Sequence, residues 1–179
     1  MTKETLLEYE DLVYRLEQLD EAADLLDDSE DRFEMVIVGG GALILQRVLS
    51  RSTYDIDALY VPPVIQGLLT DFSINTRVNA YINNFAYNFE DRLVKLPIDG
   101  KKIDFYVAAV EDIVISKLHS IRTPDIEDVE SEAVRAALDW NLLDVLATSR
   151  DELQASSLSQ FKYREFLHGY NQYVEKFRP

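Results

Sequence analysis

Apolar positions near the start of the chain recur at three- and four-residue steps, which is the spacing of one side of an amphipathic helix. The pattern predicts a helix over 4–27, and its apolar members are Leu6, Tyr9, Val13, Leu16, Ala23 and Leu26. Thr5 followed by Glu8 has the spacing of a capping box, which favours a helix start at this point.

The next stretch predicts a strand, a turn, a helix and a second strand in close succession. Residues 33–38 are rich in β-branched apolar side chains and are predicted to form a buried strand. Three glycines at 39–41 make the turn, a helix follows over 42–50, and the second strand covers 54–61. Apolar residues flank the two aspartates of this second strand, which indicates a central position in a sheet.

Two further strands are predicted over 92–96 and 101–107, and Asp99-Gly100 between them is a strong hairpin signal. Alternation along the second of these strands places Asp104 on the face opposite Ile103, Phe105 and Val107. A lone acid inside an apolar strand costs free energy unless it has a partner. Asp104 is therefore either a carboxylate of a site shared with other acids, or an edge-strand acid paired with Lys102.

The remaining segments are predicted to be helical. They are 64–72, 75–84, 110–120, 125–138, 142–146 and a final helix to about Phe177 that Ser157 or Ser159 caps. The whole pattern predicts an α/β fold with a mixed sheet of about four or five strands, flanking helices and a helical C-terminal part. We expect a single domain over 1–179, made of an N-terminal helix (1–30), a sheet core (33–107) and a helical part (110–179).

The formal net charge of −15 argues against one class of function. A molecule with this charge repels phosphate backbones, so broad DNA or RNA binding is not expected. The chain has no cysteine, which excludes disulfides and thiolate metal sites and is typical of a cytoplasmic protein. The acidic first residues are unlike a signal peptide, and the longest mainly apolar run, 35–45, is too short to span a bilayer. We therefore expect a cytoplasmic location without membrane association.

Candidate chemistry lies in the second strand. Asp55 and Asp57 are two residues apart, so on a strand both side chains point to the same face. Two adjacent carboxylates repel each other unless a cation lies between them, and Mg²⁺ is commonly bound by one or two carboxylates together with substrate phosphate oxygens. Glycines 39–41 lack Cβ atoms, so their backbone N–H groups can approach a phosphate closely. The alternatives are a solvated strand end for the aspartates and a simple tight turn for the glycines.

These motifs resemble those of a known family. The sequence Gly39-Gly-x-Ala-Leu is followed by Thr53-x-Asp-Ile-Asp, and then by the distal apolar-Asp-apolar strand around Asp104. Downstream, Ser116-Lys-Leu precedes Arg122-x-x-Asp-x-x-Asp. Over roughly residues 33–130 this order resembles the nucleotidyltransferase superfamily with the polymerase β-like fold. It is most similar to the small AbiEii-type and minimal nucleotidyltransferase proteins of bacterial toxin–antitoxin systems.

The resemblance implies a nucleoside triphosphate site with a divalent metal, Mg²⁺ or Mn²⁺. Gly39, Gly40 and Gly41 would hold the triphosphate, and Asp55, Asp57 and Asp104 would be the metal-binding and catalytic carboxylates. Two metal ions would then stabilise the entering and leaving oxygens while a hydroxyl attacks the α-phosphorus.

The resemblance also implies that Lys117 contacts the nucleotide and that Asp125 or Asp128 supports the site. Taken alone, Lys117 could simply extend along an apolar helix face to solvent, and Asp125 could be a first-turn acid that interacts with a helix dipole. The chain departs from the family pattern at two places. Many relatives have Gly-Ser where this chain has Gly40-Gly41, and Pro124 occupies the position of a usual lysine.

Two functions therefore remain open. The first, which the resemblance sets within a toxin–antitoxin system, is a magnesium-dependent nucleotidyltransferase that transfers a nucleoside monophosphate from a triphosphate to a hydroxyl of a protein or RNA. It requires that Asp104 lie beside Asp55 and Asp57. The second, which the departures from the family pattern favour, is a non-catalytic, antitoxin-like module that binds another protein through an acidic surface.

Overall fold

A computed structural model describes residues 6–149 and 159–179. The chain divides into two compact units. The sheet unit takes in the described residues of Met1–Asn79 and Leu93–Ala108, and the helical unit those of Ala80–Arg92 and Ala109–Pro179. The single domain expected over 1–179 stays a prediction.

The sheet unit is built on five strands in the order β3-β2-β1-β5-β4. Its elements are helix α1 (Tyr9–Leu26), β1 (Phe33–Ile37), helix α2 (Gly39–Leu45), β2 (Ile56–Leu59), β3 (Ile74–Asn75), β4 (Val94–Lys95) and β5 (Ile103–Val107). Strand β1 pairs antiparallel with β2 and parallel with β5, while β2 pairs parallel with β3 and β4 antiparallel with β5. The predicted α/β fold with a mixed sheet is therefore confirmed.

Helix α1 begins later, and buries a different side, than the sequence pattern predicts. Glu8 is its N-cap residue, and the Asp11 carboxylate accepts a hydrogen bond from the Glu8 backbone N–H at 3.0 Å. Thr5, the predicted cap, lies outside the described residues. The buried apolar positions are Leu12, Leu16, Leu19 and Ala23, whereas Leu6 and Leu26 are exposed. The predicted apolar stripe is thus wrong by about one residue at several positions.

The predicted hairpin exists, but its turn differs. Strands β4 and β5 pair antiparallel through a connection over 96–102 rather than a two-residue turn. The Asp20 carboxylate of α1 shapes this connection, since it accepts backbone hydrogen bonds from Lys101, Lys102 and Ile103 at 2.7, 2.8 and 2.6 Å. Gly100 permits the approach, because a Cβ atom there would lie 2.9 Å from Asp20 Oδ1.

Several predicted elements have other bounds or another conformation. The glycines form the first turn of α2, which ends at Leu45 rather than at residue 50. Residues 64–72 and 75–84, predicted to be helical, correspond to the 3₁₀ helices Pro63–Leu68 and Arg77–Asn84, and Asn75 belongs to β3. A two-residue strand is too short to show a period in sequence, so β3 was not predicted.

The helical unit contains five α-helices within the described residues. They are α3 (Val110–Leu118), α4 (Thr123–Glu130), α5 (Glu132–Ala137), α6 (Trp140–Thr148) and α7 (Gln160–Phe177). The helix predicted over 125–138 is divided at Ser131, whose hydroxyl accepts from the Val134 N–H and begins α5. Ser159 caps α7, as one of the two predicted alternatives states, while Ser157 lies outside the described residues. The predicted helical C-terminal part is confirmed.

The aromatic residues of α7 serve mainly as core. Phe166, Tyr170 and Tyr173 are buried, and the Tyr173 hydroxyl donates to the Val129 carbonyl at 2.7 Å. Over residues 6–149 and 159–179, no helix combines the length and apolar character needed to cross a bilayer.

Candidate metal and phosphate site

The two aspartates of the sequence motif meet at one amide. Asn75 Nδ2 donates to Asp57 Oδ1 at 2.8 Å and to Asp55 Oδ2 at 3.2 Å. Both oxygens contact one nitrogen at these distances, so they lie at most 6.0 Å apart. The structure therefore brings together the carboxylates that the i, i+2 spacing predicts on one face.

Strand pairing explains how these three side chains converge. Asp57 belongs to β2 and stands opposite Asn75 of the parallel strand β3, and Asp55 lies just before β2. Ile56 between the aspartates is fully buried, which points both carboxylates away from the core. All three polar residues are half-buried, so water and ligands retain access to them.

The glycine turn lies against this pair. Gly39 has φ +67°, a left-handed conformation that favours glycine, and a Cβ atom there would lie 2.8 Å from Asp57 Oδ2. The Val38 N–H donates to the Asp57 carbonyl at 2.9 Å and fixes the backbone of the turn beside the backbone of β2. The turn and the aspartates thus form one local structure, as their proximity in sequence suggests.

Arg51 also reaches the glycine turn. A Cβ atom on Gly40 would lie 2.5 Å from Arg51 Nη2, so a larger residue at this position would displace the guanidinium. Arg51 Nη1 donates to the Ser52 carbonyl at 2.8 Å, which holds the side chain near its own backbone. Sequence reasoning missed Arg51, although a cation four residues before Asp55 in an acidic chain is a usable signal.

Asp104 does not lie beside the aspartate pair, and its expected position is wrong. It stands opposite Glu34 of β1, whereas the Asp57 carbonyl bonds to Val38, four residues further along the same strand. Four residues correspond to about 13 Å along the strand, and two strand spacings add about 10 Å across the sheet. One metal ion with ligands at about 2.0–2.6 Å cannot join these carboxylates.

Two cations partner Asp104 instead. Arg32 Nη2 lies 2.6 Å and Lys95 Nζ 3.0 Å from Asp104 Oδ1. Hydrogen bonds from Arg32, and then from Lys95, hold the pKa of Asp104 below its usual value. Asp104 is thus an acid paired with protein cations, as the second alternative above predicts, but its partners are Arg32 and Lys95 rather than Lys102. Lys102 is buried, and its Nζ donates to the Ser29 carbonyl at 2.6 Å.

In the helical unit, Lys117 is enclosed by carboxylates. Its Nζ is hydrogen-bonded to Asp125 Oδ1 and lies 3.0 Å from Asp128 Oδ2. Ser120 Oγ donates to the second oxygen of Asp125 at 2.7 Å. Burial raises the pKa of Asp125, but Lys117 and Ser120 outweigh it, so the pKa is lowered overall. The cluster joins α3 to α4, and the nucleotide contact that the resemblance implies for Lys117 stays a prediction.

Asp55 and Asp57 fit a magnesium or manganese ion that takes the rest of its ligands from water and substrate. Both supply hard oxygen ligands, the two oxygens that contact Asn75 are at most 6.0 Å apart, and both side chains are partly exposed. In the part of the chain that the structure describes, no group of three or more His, Cys, Asp or Glu side chains is arranged to hold a metal. The aspartate pair is therefore suited to an ion that arrives with phosphate, rather than to a permanently enclosed one.

Relatives of this chain are identified at the level of a protein family. No curated protein and no solved structure matches the chain significantly. A family model described as "Nucleotidyltransferase of unknown function (DUF6036)" matches residues 14–178, which is nearly the whole chain. The match includes the glycine turn, Asp55, Asp57 and Lys117, and this protein belongs to that family of nucleotidyltransferases.

Proposed function

We propose that the protein is a magnesium-dependent nucleotidyltransferase that transfers a nucleoside monophosphate from a triphosphate to a hydroxyl group of a protein or RNA. An oxygen of the acceptor attacks the α-phosphorus, the bond from this phosphorus to the bridging oxygen breaks, and pyrophosphate leaves. The acceptor hydroxyl loses its proton to solvent. Magnesium, when bound, would offset the negative charge that develops on the phosphate oxygens.

One observation carries the proposal. Asp55 and Asp57 converge within hydrogen-bonding distance of a single amide, beside a glycine turn and the Arg51 guanidinium. Arginine presents a planar set of donors that suits phosphate, and glycine lets backbone N–H groups approach it. The carboxylates provide the metal side of the site, and Arg51 with the turn provides a phosphate side. This pairing supports a metal and phosphate site over a solvated strand end.

The position of Asp104 changes the expected metal chemistry. The enzyme hypothesis drawn from the sequence requires Asp104 beside Asp55 and Asp57, and β5 does not place it there, so we do not propose the two-metal mechanism. The enzyme proposal rests instead on the aspartate pair, the glycine turn and the match to a nucleotidyltransferase family. The proposed site therefore has a single protein-held metal ion with two carboxylate ligands. Metal binding should be weak alone and should strengthen with the triphosphate, because phosphate oxygens complete the coordination.

The acceptor is proposed to be a protein or an RNA with a free hydroxyl, within a toxin–antitoxin pair. A net charge of −15 makes long-range attraction of RNA unfavourable, which favours a basic protein acceptor. Co-purification of the product of an adjacent gene that also becomes labelled would identify this partner.

A label-transfer assay tests the activity. The protein is incubated with each of the four α-labelled ribonucleoside triphosphates, Mg²⁺ and an extract of cells, and labelled macromolecules are separated. We expect label transfer by the wild type and by Asp99→Asn, an exposed control, but a loss of at least about 100-fold with Asp57→Asn. Absence of transfer by a wild type that binds both metal and nucleotide would count against the proposal.

The displacement of Asp104 specifically favours a second candidate, a non-catalytic interaction module on a degenerate nucleotidyltransferase fold. In this case the acidic protein would neutralise a toxin by binding alone. Asp55→Asn and Asp57→Asn should then retain both the bound partner and the biological effect. Loss of the effect with partner binding intact would favour the enzyme instead.

A further inference from the structure

Asn75 is the unexplained residue of the proposed site. It lies outside every motif of the sequence, yet its amide nitrogen donates to both aspartates. We propose that Asn75 is a positioning residue, which holds Asp55 and Asp57 in the arrangement that receives the metal ion. This inference rests on the proposed function, because it concerns the same site.

The orientation of the Asn75 amide is fixed from both ends. Its Oδ1 accepts a hydrogen bond from the Arg77 backbone N–H at 3.0 Å, so the amino end faces the carboxylates. A primary amide has two N–H bonds in one plane, and it can donate one to each aspartate. Strand β3 places the residue at the register position opposite Asp57. The strand pairing and the Arg77 hydrogen bond therefore both direct the Asn75 amino group towards the two aspartates.

These bonds reduce the cost of keeping two carboxylates close together. Adjacent carboxylates repel, and without a donor between them they would rotate apart towards water. Asn75 engages Asp57 Oδ1, whereas Asp57 Oδ2 is the oxygen that faces the glycine turn. The amide thus holds one oxygen of Asp57 and directs the other towards the region where phosphate is proposed to bind.

The alternative reading makes an opposite prediction. If the amide simply occupies the place of a cation, it competes with metal, and its removal should strengthen metal binding. If it orients the ligands, its removal should weaken metal binding by about 10–100-fold, the usual effect of losing a hydrogen-bond partner of a metal ligand. The sign of the change separates the two readings.

The test measures Mn²⁺ affinity by electron paramagnetic resonance of the free ion, with the intact chain, both with metal alone and with a non-hydrolysable triphosphate. The variant Asn75→Leu keeps the size of the side chain and removes both donors. The matched control is Asn79→Leu, since Asn79 Nδ2 donates only to the Thr76 carbonyl, at 2.8 Å, in the bonds the structure describes for it. We expect weaker Mn²⁺ binding by about 10–100-fold in Asn75→Leu and less than a twofold change in Asn79→Leu.

Each outcome decides one question. Affinity in Asn75→Leu that equals or exceeds that of the wild type overturns the positioning role, provided that Asp57→Asn abolishes binding. No Mn²⁺ binding by the wild type, even with nucleotide, overturns the proposed function itself and the inference with it. A melting temperature unchanged from wild type excludes a general folding defect. If Asn75→Leu does not fold, Asn75→Ser, whose hydroxyl is too short to reach both aspartates, replaces it in the same comparison.

Discussion

Removing the ammonium of Lys117 should destabilise the protein strongly. Lys117 is 7% exposed and contacts Asp125, which is 16% exposed, and Asp128, which is 3% exposed. Replacement by methionine keeps the aliphatic stem but withdraws the positive charge from two carboxylates that are largely shielded from water. Breaking a buried ion pair in this way costs about 3–5 kcal/mol.

The expected loss of stability agrees in size with the electrostatic attraction that the Lys117→Met substitution removes. At the 3.0 Å separation of Lys117 and Asp128, an effective dielectric constant of about 20 gives about 5 kcal/mol of attraction. Rehydration and residual hydrogen bonds, such as that of Ser120 to Asp125, offset part of this loss. A net loss of about 3–5 kcal/mol is a large part of the 5–15 kcal/mol typical of a folded domain.

Urea denaturation followed by circular dichroism provides the measurement. With a slope of about 2 kcal/mol per molar urea, the midpoint of Lys117→Met should fall by about 2 M. Lys176→Met is the matched control, because the Lys176–Glu130 pair is exposed (61% and 42%) and should contribute less than about 1 kcal/mol. A stable Lys117→Met protein that has lost only nucleotide binding would refute this reasoning and support the contact that the family resemblance implies.

Three further predictions concern the glycine turn, the half-buried His119 and the acid that shapes the β4–β5 connection. Gly39→Ala would place a methyl group 2.8 Å from Asp57 Oδ2 at φ +67°, so Mn²⁺ affinity should fall by about tenfold or more. The control is Gly67→Ala, where an added Cβ atom meets nothing within 4 Å, so it should bind Mn²⁺ normally; equal affinities of the two variants would contradict this account. Burial lowers the pKa of His119 from 6.5 to about 4, so the folded state resists protonation more than the unfolded chain. The contribution of His119 to the free energy of unfolding is complete above pH 6.5 and decreases by up to about 3 kcal/mol as the pH falls towards 4. Urea midpoints measured between pH 7 and 4.5 should show this decrease for the wild type but not for His119→Phe. Asp20→Ala removes the acceptor of three backbone N–H groups and should reduce the free energy of unfolding by about 3 kcal/mol or more; a reduction below about 1 kcal/mol in urea would show that water replaces the carboxylate.

Local patterns in the sequence were sufficient for much of the fold. The β-branched run before the glycines forms β1, and alternation assigned the buried face of β5 correctly, because each pattern depends only on neighbouring residues. The phase of α1 was less certain, since Tyr9 and Val13 are partly exposed while Leu12 and Leu19 are buried. Several apolar residues on two sides of a helix allow more than one stripe, and tertiary contacts decide between them.

The candidate site could be predicted only where its residues are close in sequence. Asp55, Asp57 and Gly39 lie within one strand–turn–helix–strand segment, and they do meet. Asn75 comes from β3, whose two residues are too few to show a period and whose pairing with β2 is not marked by any motif in the sequence. Arg51 also lies close in sequence, but the sequence does not show that its side chain points towards Gly40. The space for the guanidinium exists because Gly40 has no Cβ atom, and this is visible only in the structure.

The position of Asp104 shows that strand alternation predicts the face of a residue but not its neighbours on the next strand. Alternation determines the face of a strand on which a residue lies, and Asp104 does share a face with Asp57 across β1. The position along the neighbouring strand depends on register, which non-local contacts determine, and here it places Asp104 beside Arg32 and Lys95. An acid inside an apolar strand requires a positive partner, and two protein cations satisfy that requirement as well as a metal ion does. The need for a partner was therefore predictable from the sequence, whereas the chemical identity of that partner was not.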